Sequence, residues 1–169
     1  MILNNKNLNN KKMSIWGVGI YFALISIIYS IFIIIINEYT KPLFIIKQLS
    51  QSVAVIIGII LLFIGIPYFI LCRITIYKAY NKGKLAINGV YAMCRHPLYS
   101  SWIFFNVPGI VIFFKSWILL TVPIFMYILL VILAKKEEKY LINKFGNEYL
   151  EYKKNTNFVF PKFWKYFKN

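Results

Sequence analysis

Four stretches of the chain carry no charged side chain and consist mostly of apolar residues. A helix needs about 20 such residues to cross a hydrocarbon core about 30 Å thick. The first two stretches meet that length and the last two are marginal, so the pattern predicts an all-α integral membrane protein with about four transmembrane helices. The predicted spans are residues 15–36, 50–72, 97–114 and 116–134.

The connection between the third and fourth predicted spans is essentially Lys115 with its two neighbours. So short a link forces an antiparallel helical hairpin, and the two outer ends of the hairpin then lie on the same side of the membrane. Pro108, Gly109 and Pro123 predict bends in the hairpin helices near the middle of the membrane.

The remaining segments complete a single predicted domain over residues 1–169. Residues 1–13 are rich in asparagine and lysine and are predicted to be a disordered lead. Residues 75–96 and 135–156 hold most of the polar side chains and are predicted to lie in the cytosol, the second as a C-terminal helix. Residues 157–169 mix aromatic rings with lysines, a composition typical of an interfacial tail at the level of the lipid headgroups.

Composition and charge agree with this topology. Hydrophobic residues make up 60% of the chain and charged residues 15%, against about 45–50% and about 25% in soluble proteins. Of the 20 lysines and arginines, seventeen lie in residues 1–14, 73–96 and 135–169, which four spans bring to one side. The positive-inside rule makes that side the cytoplasm, so both termini are predicted there, in a bacterial inner membrane or the endoplasmic reticulum. The net charge of +15 then points to anionic membrane lipids as partners, not to nucleic acid.

Cysteine and histidine are too few to suggest a disulfide framework or a metal centre. Cys72 and Cys94 follow no metal-binding spacing, and His96 is the one histidine of the sequence. Cys94 stands next to Arg95 and His96, but adjacency in sequence is not a catalytic geometry, so a nucleophilic role is the weaker interpretation.

The segment before the third span has the features of an anion site. Pro97 suits the first turn of a helix, because its missing N–H is not needed there. His96 is then placed at the mouth of that helix, where free N–H groups attract a carboxylate or phosphate, and Arg95 adds a fixed cation. The alternative is that Arg95 and His96 only reach towards lipid headgroups.

A second polar element follows the fourth span. One stripe of the predicted helix 135–154 carries a carboxylate and large apolar or aromatic side chains. Glu137 is therefore expected to be partly desolvated and close to His96. Glu138 is 100° further round the helix, and we expect its charge to be solvated beside neighbouring lysines. The stripe consists of Glu137, Leu141, Phe145, Tyr149 and Tyr152.

Together these elements offer groups for an anion and for a cation, with tyrosines for flat or cationic groups. An amino-acid zwitterion joined to a sulfonium and an adenosine would use all of them. Membrane enzymes acting on lipids, and non-enzymatic lipid-binding proteins, could use the same groups. The tyrosines are Tyr91, Tyr99, Tyr149 and Tyr152.

Two motifs in this order resemble the isoprenylcysteine carboxyl methyltransferase family, whose wider superfamily includes phospholipid and small-thiol methyltransferases. The first is Gly-Val-Tyr followed by Arg-His-Pro-Leu-Tyr over residues 89–99. The second is the Glu-Glu pair at 137–138 with Phe-Gly-Asn-Glu-Tyr-Leu-Glu-Tyr at 145–152.

The resemblance implies a membrane methyltransferase that uses S-adenosyl-L-methionine and methylates a lipophilic acceptor entering from the bilayer. It implies that His96 meets the methionine carboxylate of the cofactor, that Glu137 meets its amino group, and that these two residues form the catalytic site. No metal is implied. The cofactor-binding residues carried over are Leu85, Ala86, Tyr91, His96, Pro97, Leu98, Tyr99 and Glu137.

Two departures from the family pattern leave the acceptor open. Tyr99 is followed by Ser100 and Ser101, where the family usually continues with one further residue and a glycine. Leu133 stands where members acting on prenylated carboxylates have an arginine. The acceptor is prenylcysteine-like or, alternatively, a phospholipid amine or a small thiol; a non-catalytic lipid-binding module is the rival from another class.

Overall fold

The computed structural model describes residues 18–164. The predicted lead at 1–13 and residues 165–169 of the predicted tail lie outside this range. Within it the chain is all-α, and four apolar helical segments are long enough to cross a membrane, which confirms the predicted fold class. These segments are Gly19–Tyr39, Gln51–Asn81, Pro97–Phe114 and Ile118–Phe145.

The first two segments are the regular helices α1 (Gly19–Tyr39) and α2 (Gln51–Asn81). The Ser50 side chain caps α2 by accepting a hydrogen bond from the N–H of Val53 at 3.3 Å. α2 continues well past the predicted span, because a basic residue ends an apolar stretch without ending a helix. It stops just before Gly83, whose φ of 63° is a left-handed conformation that suits glycine.

The third segment is an irregular helix. Between α4 (Pro97–Ser101) and α5 (Val107–Val111) lies one π-helical turn, Trp102–Asn106. Pro108 has no N–H to donate and its ring crowds the preceding turn, which accounts for a widened turn directly before it. Pro123 lies in the first turn of α6 (Thr121–Phe145), where proline is tolerated, and a bend of the hairpin at that position stays a prediction.

The last two segments form the predicted hairpin. Lys115 turns the chain with a left-handed φ of 49°. The loop between α1 and α2 lies beside this turn: the N–H of Ile46 donates to the carbonyl of Lys115 at 2.7 Å, and that of Trp117 to the carbonyl of Phe44 at 2.9 Å. This end of the bundle is called the hairpin end below, and the opposite end, where α4 begins and α6 finishes, the site end.

Helix packing divides the bundle into two pairs. α1 packs on α6, whereas α2 packs on the third segment. The second contact is close because small residues face each other: a Cβ atom placed on Gly58 would lie 2.8 Å from the carbonyl oxygen of Gly109. Two short helices complete the site end, α3 (Val90–Met93) and α7 (Asn147–Asn155).

Candidate active site

A cavity of about 600 Å³ opens at the site end and extends between α1 and α2 towards the middle of the bundle. Seven of the eight predicted cofactor-binding residues line it, and Pro97 instead begins α4 behind them. The two predicted motifs therefore meet in space, as the hairpin topology requires. The seven are Leu85, Ala86, Tyr91, His96, Leu98, Tyr99 and Glu137.

The backbone of the first motif is shaped by its glycine and proline. Gly89 has a φ of 61°, which turns the chain into α3. Cys94 is extended after α3, and His96 is the residue directly before Pro97, at the mouth of α4 as predicted. Ser100 and Ser101, which stand in the region of the family glycine, are both fully buried, so α4 packs closely with serines there.

Glu137 is held at the cavity wall by a tyrosine from the other motif. The hydroxyl of Tyr99 donates to Glu137 Oε2 at 3.1 Å. The ring of Phe22 from α1 packs edge-on against that of Tyr99, with 4.9 Å between centroids. The first helix therefore supports the site.

The prediction that the charge of Glu138 is solvated is wrong. Glu138 is buried, and its carboxylate oxygens lie 2.9 Å from Arg95 Nε and 2.7 Å from Lys153 Nζ. His96 Nε2 is 3.4 Å from the same carboxylate. Periodicity along one straight helix did not reveal these partners, because Arg95 and His96 come from the first motif and Lys153 comes from α7, after the break in the predicted helix.

Arg95, which was predicted to be a fixed cation for a ligand, also binds other parts of the protein. Besides the pair with Glu138, its Nη1 donates to the carbonyl oxygens of Lys153 at 3.1 Å and Thr156 at 2.5 Å. The guanidinium therefore fastens the end of α7 to the first motif. The cation is neutralised within the protein.

The predicted helix 135–154 is interrupted. Gly146 has a φ of 56°, so α6 ends before it and α7 begins after it. Even so, every residue of the predicted stripe lines the cavity. The hydroxyl of Tyr152 donates to the carbonyl of Tyr91 at 2.7 Å, which fixes α7 against α3.

The segment after α7 also forms part of the site. The N–H groups of Arg95 and His96 donate to the carbonyls of Asn157 and Phe158 at 2.8 and 3.1 Å. The ring of Phe158 packs against that of His96, with 5.0 Å between centroids. Val159 is fully buried. An interfacial position for the tail stays a prediction, and residues 157–159 have this packing role in addition.

Cys94 is buried directly behind the site. Burial raises the pKa of its thiol to about 11, so the thiol stays protonated near neutral pH. This agrees with the weaker standing of the nucleophilic interpretation. Within residues 18–164 there is no group of three histidine, cysteine or acidic side chains suited to a metal ion.

The sequence suggests the first two spans as scaffold and possible walls of a lipid tunnel, but it does not indicate which of their residues line the cavity. α1 and α2 have no motif, yet both line the cavity, α1 with Ser26 and Ser30 and α2 with Phe69 and Arg73. Two serines four residues apart in an apolar helix are the one signal that could have pointed to α1, since they share a face. Leu133 does not line the cavity but packs against the core.

Comparison with known proteins identified one family. A sequence-family model described as the isoprenylcysteine carboxyl methyltransferase family matches residues 49–143, more than half of the chain. Comparison with curated proteins and with solved structures found no match.

Proposed function

Since the chain belongs to the isoprenylcysteine carboxyl methyltransferase family, we propose that it uses S-adenosyl-L-methionine to methylate a lipophilic acceptor at the cytosolic face of the membrane. One observation carries the proposal. A single cavity joins a polar end, which holds the predicted cofactor residues, to an apolar end between the membrane helices.

The residues at the polar end fit the cofactor. Leu85, Ala86 and Leu98 offer apolar contacts for an adenosine. Glu137 offers a carboxylate for the α-ammonium group. His96 also lines the cavity, and its Nε2 lies 3.4 Å from the buried carboxylate of Glu138, which would hold the ring in place beside the methionine carboxylate.

The bound cofactor supplies a methyl group on a positively charged sulfur. Transfer is an in-line displacement, so the task of the protein is to align the two reactants and exclude water. Tyr99 orients Glu137, and tyrosine faces around the cavity suit a sulfonium. A carboxylate acceptor needs no base, whereas an amine or thiol would pass its proton to His96.

The apolar end of the cavity fits an acceptor that enters from the bilayer. Leu24 and Ile27 of α1 line the cavity, yet each is 55% exposed on the surface that would face lipid. The cavity is thus open sideways between α1 and α2. An acceptor could bring its polar group to the cofactor while its chain stays in an apolar environment.

A phospholipid amine or small thiol is the second candidate acceptor, because the family arginine is replaced by Leu133. Two other cations, Lys84 and Lys144, line the cavity. An acidic acceptor group can therefore be held by other residues, which keeps a prenylcysteine carboxylate as the first candidate.

The cofactor is tested by calorimetric binding of S-adenosylhomocysteine to the detergent-purified protein. We expect binding to the wild type and its loss in Glu137→Ala. Glu148→Ala is the matched control, because Glu148 is exposed on α7 and does not line the cavity. No binding to folded wild type would favour a non-catalytic module.

The acceptor is tested by methyl transfer from labelled cofactor to a prenylcysteine, a phosphatidylethanolamine and a small thiol. We expect the prenylcysteine to be methylated. Transfer to either of the other two alone would establish the second candidate.

A further inference from the structure

A second cavity, of about 230 Å³, lies between the first cavity and the hairpin end. It is formed by α1, the third segment and the beginning of the fourth. Ser30 and Val107 line both cavities, so the two spaces adjoin. This second space is called the deep cavity below.

The deep cavity continues the walls of the first cavity by one helical turn. On each of three helices, the residue of the first cavity nearest the hairpin end is four positions from a residue of the deep cavity. A step of four residues keeps to one helix face and advances by about 6 Å. The same three helix faces therefore line both spaces. The pairs are Ser30 and Ile34 in α1, Val107 and Val111 in the third segment, and Met126 and Val122 in α6.

The walls of the deep cavity suit hydrocarbon. Apart from Ser30, every residue that lines it is apolar. The hydroxyl of Ser30 donates to the carbonyl of Ser26 in its own helix at 2.7 Å, so this polar group is already satisfied. A ligand with charged or hydrogen-bonding groups would lose its hydration there without compensation.

Contacts between α1 and α6 fix the deep cavity in shape. The ring of Tyr29 stacks on that of Phe125, with 3.9 Å between centroids, and its hydroxyl donates to Thr121 Oγ1 at 3.2 Å. These contacts join the two helices next to the shared wall at Ser30. The space is therefore bounded by helices that are held together.

The distance from the polar end indicates what could reach the deep cavity. Along α6, Met126 is about 16 Å and Val122 about 22 Å from Glu137. With its acceptor group at the level of Glu137, an extended farnesylcysteine passes Met126. A geranylcysteine is one isoprene unit shorter and ends near Met126.

We propose that the deep cavity binds the far end of the acceptor's prenyl chain and makes the enzyme favour farnesyl or longer chains. This inference rests on the proposed function, because it requires a prenylated acceptor. It adds a site that selects the acceptor by length. A bilayer lipid that fills the deep cavity would not give such selection.

The test is kcat/KM for geranylcysteine, farnesylcysteine and geranylgeranylcysteine in the same detergent. Wild type should prefer the two longer chains. Ile34→Trp places a larger ring at the wall of the deep cavity and should lower kcat/KM for farnesylcysteine by about ten-fold, as overpacking predicts. Its kcat/KM for geranylcysteine should stay nearly unchanged. Comparison of chain lengths within one variant removes general effects on catalysis.

Ile35→Trp is the matched control. Ile35 is the next residue of α1, is exposed to a similar degree (49% against 43%) and lines neither cavity. It should keep the wild-type order of the three acceptors. Binding of S-adenosylhomocysteine should be the same in both variants, since the cofactor residues lie at the other end of the first cavity.

A second variant tests the site in the opposite direction. Phe114 lines the deep cavity near the hairpin turn, so Phe114→Ala enlarges it. The ratio of kcat/KM for geranylgeranylcysteine to that for farnesylcysteine should rise. This variant decides the test alone if Ile34→Trp does not fold.

Equal changes for all three acceptors, or the wild-type preference retained in both variants, would overturn the inference. Methylation of prenylcysteines would in that case leave the proposed function standing. Wild type that methylates no prenylcysteine would remove the inference together with the first candidate acceptor.

Discussion

Arg95 and Glu138 form a buried ion pair, with 2.9 Å between Nε and Oε1, across 43 residues of sequence. Both side chains are close to nine-tenths buried. Glu137, the neighbouring residue, faces the cavity and accepts a hydrogen bond from Tyr99 instead. Two consecutive glutamates thus have separate tasks, one in the framework of the site and one at the cavity wall.

Replacement of Glu138 should therefore act on stability. Glu138→Ala leaves Arg95 buried without its counter-charge, and loss of one partner of a buried pair costs about 3–5 kcal/mol. Denaturant or thermal unfolding in detergent measures the loss. Glu148→Ala, on the exposed face of α7, should change stability by less than about 0.5 kcal/mol. Equal effects of the two variants would contradict the framework role.

Removal of the Tyr99 hydroxyl should weaken cofactor binding without unfolding the protein. Tyr99→Phe keeps the ring contact with Phe22 and loses the hydrogen bond to Glu137. A net hydrogen bond of about 1 kcal/mol corresponds to an affinity loss of about five-fold. Calorimetry with S-adenosylhomocysteine measures it, and unchanged affinity would show that Glu137 needs no orientation by Tyr99.

Closure of the gap between α1 and α2 should affect the acceptor more than the cofactor. Ile27→Trp places a larger ring where the cavity opens sideways, so we expect a higher KM for the acceptor and unchanged binding of S-adenosylhomocysteine. Ile28→Trp is the control, since Ile28 is 68% exposed and does not line the cavity. An Ile27→Trp enzyme with normal acceptor kinetics would argue against this entry route.

The thiol of Cys94 should be unreactive in the folded protein and dispensable for catalysis. Its pKa is raised from 9.0 to about 11, so the folded state favours the protonated form. The resulting stability is complete below pH 9 and is lost as the pH rises towards 11. In a Cys72→Ala background, maleimide should label Cys94 at pH 8 only after unfolding. Cys94→Ala should keep methyl transfer. A loss of turnover with normal cofactor binding would instead support a nucleophilic role for Cys94.

A side chain at Gly58 should separate α2 from the third segment. A Cβ there would lie 2.8 Å from the backbone of Gly109, which cannot move aside easily, and overpacking costs about 1–3 kcal/mol. Gly58→Val should therefore lower the unfolding temperature. Ile56→Val, on the exposed side of α2, should leave it nearly unchanged, and a stable Gly58→Val protein would mean that the two helices can shift.

The membrane architecture can be predicted from the sequence because two features determine it almost alone. These are the lengths of the stretches without charged residues and the short turn at Lys115. Pro97 likewise predicts the start of α4 and the position of His96. Pairings between distant segments cannot be predicted in this way. Arg95 and Glu138 each have plausible local partners, and only the folded chain shows that they pair with each other.

Helical periodicity predicts which residues of one helix share a face, but it does not predict how helices pack on each other. It predicts correctly that Glu137, Leu141, Phe145, Tyr149 and Tyr152 share one wall, although Gly146 breaks the helix that carries them. The π-helical turn before Pro108 and the contribution of α1 leave no comparable periodic signal, because both depend on packing between helices.

The loop beside the hairpin turn determines how the two helix pairs can separate. The backbone bonds of Phe44 and Ile46 with residues 115–117 tie α1, α2 and the hairpin together at that end. At the site end the same two pairs are joined by side chains instead, through the hydrogen bond of Tyr99 with Glu137 and the ion pair of Arg95 with Glu138. Separation of the pairs at that end therefore requires these side-chain contacts to break, whereas the backbone bonds at the hairpin end can stay in place.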